Sequence, residues 1–168
     1  MKVIFLDVDG VLNSTKTSVA NGGYPFELNE FEAFDMHNIK LLQRFCDSSG
    51  VVIVFSSAWR LSNTASEVSK VWELPVIDVT PNIWGQPRGA EIKQWLEENP
   101  EVTHYAILDD TDDMLEEQQE NFVLTDPDDG LKWKDFLRMC SILDESPLQG
   151  KARDRNWKTK ADNGELWM

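Results

Sequence analysis

Carboxylates cluster at two places in the sequence, each directly after a short apolar run. The clusters are DVDGV at residues 7–11 and DDTDD at residues 109–113. In an open parallel sheet, ligands bind just beyond the carboxyl ends of the strands, where two such clusters would face and repel each other. This repulsion predicts a cation between them. Mg²⁺ is favoured because it takes one or two carboxylates, keeps waters and binds beside substrate phosphate.

The first cluster has a spacing suited to covalent phosphoryl transfer. Asp7 can attack phosphorus if a metal and other cations shield it from the charge of the phosphate, and it then forms an aspartyl-phosphate. Asp9 follows two residues later. The period of a strand and a bend at Gly10 bring its carboxyl to the same side as that of Asp7. There Asp9 can protonate the leaving oxygen and later deprotonate water.

Apolar runs that alternate with helical patterns must position these side chains. Strands are predicted for five apolar runs, at residues 2–8, 51–55, 74–79, 105–108 and 122–124. Helices are predicted for five segments, at residues 35–47, 62–72, 89–98, 112–119 and 131–143. Asp35 is placed to cap the first of these helices and Gly50 to stop it. The alternation predicts an α/β fold with a mostly parallel sheet.

One domain, at residues 1–146, is expected from a length of 168 residues. Within it, residues 13–34 show no sustained period and are predicted to form a long loop or a small lid. The aromatic residues of this segment supply apolar surface that can cover the site or stack on a base: Tyr24, Phe26, Phe31 and Phe34. Residues 147–168 are predicted to be a polar C-terminal tail, either loose or strapped across the surface.

The composition constrains partners and compartment. A net charge of −14 and a pI near 4.4 disfavour nonspecific binding to nucleic acid backbones and to anionic membranes. The N-terminal apolar run is too short for a signal peptide, so a cytoplasmic location without a membrane partner is expected. Cys46 and Cys140 are expected to be reduced core thiols. Trp59, Trp72 and Trp95 are expected in the core, with Trp84 in the NIWGQPRG loop as the exception to watch.

Four motifs in the sequence resemble those of a known family. DVDGV, a hydrophobic strand ending in Ser56, a cation upstream of a helix, and a DD pair followed by Asp113 match the haloacid dehalogenase (HAD) superfamily in order and spacing. The resemblance runs from Lys2 to about Leu124. It implies a Rossmann-like three-layer α/β/α sandwich with a minimal cap. It also implies Asp7 as nucleophile, Asp9 as acid/base and Ser56 as a hydrogen-bond donor to the phosphoryl group.

The resemblance also implies a set of ligands for Mg²⁺. Asp110 would bind the metal alongside Asp7, and Asp9 belongs to the same metal set. Asp109 and Asp113 would hold the metal's waters. The expected metal residues are Asp7, Asp9, Asp110, Asp109 and Asp113.

A positive side chain is needed to neutralise charge on the transferred phosphoryl group. Arg88 precedes the helix that begins at Gly89, where the family often carries its cation, whereas Lys93 lies one turn inside that helix. Arg88 is preferred because a planar fork suits phosphate oxygens, and Lys93 remains the alternative. Arg60 is a further candidate for a substrate phosphate. The expected substrate-binding residues are Ser57, Arg60, Lys93 and Gly10.

More narrowly, FLDVDGVLN, SSAWR, RGAEIKQWL and ILDD resemble the HAD domain of Swiss-army-knife RNA-repair proteins. The resemblance implies a Mg²⁺-dependent phosphatase that acts on a small or terminal phosphomonoester, such as a nucleotide or a nucleic acid 3′-phosphate end. The acidic net charge argues against a long polymer as substrate. The alternative is a catalytically idle HAD-like binding or regulatory module. The presence of Asp9 argues against it, because such a module needs no acid/base.

Overall fold

Five parallel strands form the centre of the molecule. The computed structural model describes residues 1–147, so the predicted tail lies outside the described residues except for Pro147. The strands are β1 Lys2–Leu6, β2 Val52–Phe55, β3 Val76–Val79, β4 His104–Asp109 and β5 Phe122–Leu124. Their order in the sheet is β3-β2-β1-β4-β5. The sequence KVIFL of β1 is apolar throughout because this strand is covered on both faces.

Helices cover both faces of the sheet. The covering helices are α2 Met36–Ser49, α3 Ala65–Trp72, α4 Arg88–Glu98 and α5 Trp133–Ile142. A further helix, α1 Thr15–Asn21, contributes no residue to the cores on either face. Ile4 and Leu6 of β1 belong to one core, with side chains from α2, α3 and α5. Val3 and Phe5 belong to a second core with α4, where the Phe5 and Trp95 rings meet edge to face at 5.4 Å. The α/β/α sandwich predicted from the resemblance is confirmed.

Local signals account for most helix boundaries. The Asp35 side chain accepts a hydrogen bond from the backbone N–H of Asn38, and Gly50 ends α2 with a φ of 76°. Both predictions for this helix are therefore confirmed. α3 begins at residue 65 and not at 62, because Thr64 and Glu67 form a capping box there. A 3₁₀ turn, Ala58–Leu61, takes up the chain before it.

Two irregular segments differ from their predictions. The segment predicted as a helix at 112–119 has no regular structure at residues 112–115, and a 3₁₀ helix, Glu116–Asn121, follows. Residues 13–34 were predicted as a long loop or a small lid, and the continuous loop is wrong because the segment contains α1 and a 3₁₀ turn, Phe31–Ala33. The sequence pattern missed α1 because the helix buries only Ser18. Its caps define it, with Ser14 and Thr17 forming a capping box at its start and Gly22 closing it with a φ of 80°.

Phe34 is not available to cover a ligand, contrary to the prediction. It is 4% exposed and packs against the rings of Trp59 and Trp72. In contrast, Tyr24 and Phe26 are 57% and 91% exposed. Two residues after Phe26, the chain is bound to the core, because the indole N–H of Trp72 donates a hydrogen bond to the carbonyl of Leu28.

The two cysteines lie in the core as free thiols, as predicted. Burial raises the pKa of each thiol to about 12, so neither is a nucleophile near neutral pH. Among residues 1–147, no helix has the length and apolar character needed to cross a bilayer.

Candidate active site

The strand register places the site. Leu6 of β1 is level with Phe55 of β2 and with Leu108 of β4. The residues that follow are therefore level too, and two ladder bonds continue past the strand ends. The N–H of Asp7 donates to the carbonyl of Leu108, and the N–H of Ser56 donates to the carbonyl of Leu6.

Three carboxylates meet at this edge. Within the described residues, Asp7, Asp109 and Asp110 each offer one oxygen, and these oxygens lie within 4.8 Å of one another. Asp7 and Asp109 are buried, and Asp110 is half-buried. An all-oxygen donor set from carboxylates fits a hard divalent ion such as Mg²⁺. Asp9 and Asp113, the other two predicted metal residues, are not in this group.

Burial makes the negative charges in this group costly. It raises the pKa of Asp7 to about 6, although Arg88, the N–H of Val8 and the Ser57 hydroxyl act to lower it. Burial and the neighbouring Asp7 raise the pKa of Asp109 to about 8, against the lowering effect of Arg88. Carboxyl groups with strongly shifted pKa values are characteristic of functional sites. A bound cation would relieve the same repulsion.

Gly10 allows the second cluster to approach the first. Its φ is +76°, and a Cβ at this position would lie 2.2 Å from Oδ2 of Asp110. The Thr125 hydroxyl donates to the carbonyl of Gly10 at 2.7 Å and holds the turn in place. Gly10, predicted to contact substrate, thus has a backbone role in admitting the Asp110 carboxylate.

Arg88 is the cation that reaches the aspartates. Its Nη1 lies 3.2 Å from Oδ2 of Asp109 and 3.7 Å from Oδ1 of Asp7. The alternative, Lys93, instead pairs with Glu117 at 2.8 Å on the exposed side of α4. Gly89 brings the start of α4 this close, since a Cβ there would lie 2.6 Å from the backbone nitrogen of Leu115.

Arg60 is already occupied by protein groups. Its Nε and Nη1 donate to the carbonyls of Thr80 and Ser57. Its Nη2 lies 2.7 Å from Oε2 of Glu91, and the side chains of this pair are each 6% exposed. The structure therefore places Arg60 within the wall of the site, paired with a carboxylate.

Asp9 is exposed, and two side chains hold it. The Asn13 amide donates to its Oδ1 at 2.8 Å, and the indole N–H of Trp59 donates to its Oδ2 at 3.0 Å. The same Asn13 side chain accepts from the N–H of Gly10 at 3.1 Å. The Asp9 carboxyl is thus oriented while it stays accessible to solvent.

Two hydroxyls and one carboxylate complete the edge. The Ser56 hydroxyl is buried without a hydrogen-bond partner among the described residues. The Ser57 hydroxyl acts to lower the pKa of Asp7 and accepts a hydrogen bond from the N–H of Trp59 at 3.3 Å. Asp113 accepts from the N–H of Arg88 at 3.1 Å, so it caps α4. At this edge, Ser56 and Asp113 both keep unused hydrogen-bonding capacity, because Oδ1 of Asp113 is also buried without a hydrogen-bond partner among the described residues.

Comparison with protein-family models decides the classification. Residues 3–136 match the model of the HAD domain in Swiss Army Knife RNA repair proteins. The chain belongs to this HAD domain family. No curated protein and no solved structure matches the chain significantly. The resemblance drawn from the motifs is thereby confirmed.

Sequence reasoning missed three residues of this HAD domain that support the site. Asn13 and Trp59 orient Asp9, and Glu91 is buried between Arg60 and the backbone of Ile83. Glu91 had a detectable signal, because it precedes Ile92 on the buried face of α4. A carboxylate on a buried helical face requires a partner. Asn13 and Trp59 had no comparable signal in the sequence.

Proposed function

We propose that this HAD domain is a Mg²⁺-dependent phosphatase that hydrolyses phosphomonoesters through an aspartyl-phosphate on Asp7. The observation that carries the proposal is the meeting of Asp7, Asp109 and Asp110 within 4.8 Å, with Arg88 beside them. Asp7, Asp9, Ser56 and Arg88 are the proposed catalytic residues. This assignment uses the unpaired Ser56 hydroxyl and the guanidinium that lies beside the aspartates.

The proposed reaction has two displacements. In the first, a carboxylate oxygen of Asp7 bonds to phosphorus as the ester P–O bond breaks, and Asp9 gives its proton to the leaving oxygen. In the second, water loses a proton to Asp9 and attacks phosphorus, which breaks the bond to Asp7 and releases inorganic phosphate. The free Ser56 hydroxyl and the Arg88 guanidinium bind phosphoryl oxygens in both steps.

Asp7 and Asp110 are the proposed direct ligands of Mg²⁺, with Asp109 beside them. When bound, the ion would neutralise charge on the phosphoryl group, so that an anionic nucleophile can approach it. Asp113 is engaged in capping α4 through one oxygen. Its contribution to the site is therefore proposed to be indirect.

A nucleotide or a nucleic acid 3′-phosphate end is the proposed substrate. The family name refers to RNA repair proteins. Trp84 is 96% exposed and lies on the turn just before Arg88. An exposed tryptophan is uncommon in proteins and offers a flat surface on which a base can stack. These two observations favour a substrate with a nucleobase next to its phosphate.

The first test compares wild type with Asp7→Asn on p-nitrophenyl phosphate and on nucleoside monophosphates, with Mg²⁺ and with EDTA. We expect turnover to fall by about 1,000-fold or more in the variant, because the nucleophile is lost. EDTA should abolish wild-type turnover. Asp47→Asn, which changes an exposed acid on α2, is the matched control and should retain activity.

Equal turnover under all of these conditions would contradict the proposal. The alternative, a catalytically idle module, predicts no hydrolysis of any phosphoester together with partner binding that Asp7→Asn leaves intact. Assays of wild type and Asp7→Asn therefore distinguish the two proposed functions.

A further inference from the structure

We propose that the buried ion pair of Arg60 and Glu91 is a positioning device that keeps Arg88 directed at Asp7 and Asp109. The inference rests on the proposed function, in which Arg88 meets the phosphoryl group. It assigns to Arg60 the task of neutralising Glu91 and does not place it in contact with substrate. Glu91, on the first turn of α4, becomes part of the site's support.

Glu91 lies between the two arginines. Its Oε2 is 2.7 Å from Nη2 of Arg60 and 3.8 Å from Nε of Arg88. Its Oε1 accepts from the N–H of Ile83 at 2.9 Å. The residue is 4% exposed, so its charge has little help from water and requires a cation nearby.

Arg88 can therefore pair either with Glu91 or with the aspartates of the site. Its Nη1 is 3.2 Å from Asp109 and 3.7 Å from Asp7, distances similar to the 3.8 Å from its Nε to Glu91. Coulomb attraction at such similar distances gives no strong preference. Arg60 decides the outcome because its shorter contact satisfies Glu91. The positive charge of Arg88 then stays available at the edge where phosphate would bind.

The pair also holds the chain segment that leads to Arg88. Arg60 donates to the carbonyls of Ser57, Thr80 and Pro81. Together with the bond from Ile83 to Glu91, these contacts join the ends of β2 and β3 to the first turn of α4. The guanidinium of Arg60 thus holds the backbone around the site in place and also neutralises the charge of Glu91.

The decisive variants are Arg60→Met, Glu91→Gln and the double variant. Arg60→Met leaves the Glu91 charge unpaired, so Arg88 should turn toward it. We expect turnover of p-nitrophenyl phosphate to fall about 100-fold, as for a misplaced catalytic group. The double variant removes the competing charge as well and should recover at least ten-fold over Arg60→Met. Arg88→Ala gives the turnover expected when the Arg88 cation is lost. Glu117→Gln is the control, because it breaks an exposed ion pair with Lys93 of the same helix as Arg88.

Affinity for inorganic phosphate, measured by calorimetry, gives a second readout without turnover. It should weaken about ten-fold in Arg60→Met and return in the double variant, because a charge-assisted contact is lost and regained. Arg60→Lys should bind phosphate more tightly than Arg60→Met, since it keeps the charge. Melting temperatures report the structural effect separately. If Arg60→Met does not fold, Arg60→Gln takes its place, because it keeps an N–H donor without the charge.

A pair that only stabilises the fold predicts a different result. Turnover and phosphate affinity would then follow melting temperature, and the double variant would show no recovery over Arg60→Met. Either finding overturns the inference. If wild type shows no turnover that depends on Asp7, the proposed function fails. In that case the phosphate affinities of the same variants still decide whether the pair positions Arg88.

Discussion

At Gly10, the backbone conformation determines how closely Asp110 can approach the proposed metal site. A side chain at this position is unfavourable for two reasons. The φ is +76°, and the added Cβ would lie 2.2 Å from Oδ2 of Asp110. We expect Gly10→Ala to push Asp110 away from Asp7 and to weaken Mg²⁺ binding by at least about ten-fold, as loss of a ligand's orientation does. Calorimetric titration with Mg²⁺ measures this directly.

Gly50 provides the matched control for Gly10. It has the same φ of 76°, but a Cβ there would meet nothing within 4 Å. Gly50→Ala should therefore lower the melting temperature through backbone strain while it leaves Mg²⁺ affinity unchanged. If both variants bind Mg²⁺ as wild type does, Gly10 has no part in admitting Asp110.

At the scale of elements, residues 13–34 combine an anchored part and an exposed part. Phe34 packs between Trp59 and Trp72, and Phe26 is 91% exposed. Phe34→Ala should lower the free energy of unfolding by about 3 kcal/mol, because it leaves a cavity in the core. Phe26→Ala should change it by no more than about 0.5 kcal/mol, the usual range for surface substitutions. Urea denaturation followed by circular dichroism measures both values.

The Phe26→Ala variant also tests whether this segment contacts substrate. We expect Phe26→Ala to raise KM for a nucleoside monophosphate more than for p-nitrophenyl phosphate, because an exposed ring can rest on a base. Kinetics that stay unchanged for both substrates would assign the segment a purely structural role.

At the scale of the whole molecule, the net charge of −14 opposes any polyanionic substrate. Salt screens this repulsion, with a Debye length of about 10 Å at 0.1 M. We therefore expect KM for an oligonucleotide 3′-phosphate to fall several-fold as KCl is added at fixed Mg²⁺. KM for a nucleoside monophosphate should change less. Proteins that bind nucleic acid through basic surfaces show the opposite trend, and a KM that rises with salt would contradict this prediction.

The sequence by itself determined the strands, most helix boundaries and the acidic half of the site. These features have local causes. Apolar runs bounded by acids indicate buried parallel strands. Asp35 caps the start of α2 with its side chain, and Gly50 ends the helix through its left-handed backbone conformation. Asp7, Asp109 and Asp110 follow strand ends, and parallel pairing brings such ends to one edge. Motif order and spacing therefore sufficed for the family and for most of the candidate site.

The tertiary structure alone decided which cation lies beside the aspartates. Arg88 and Lys93 are on the same helix, and the side of α4 that faces the aspartates depends on the packing of Gly89 against Leu115. Arg60 and Glu91 are 31 positions apart, and no local pattern links them. A buried charge takes its role from the partner that lies nearest in three dimensions, because desolvation makes that contact compulsory. For this reason Arg60, a phosphate-binding candidate in the sequence, is the partner of Glu91 in the folded chain.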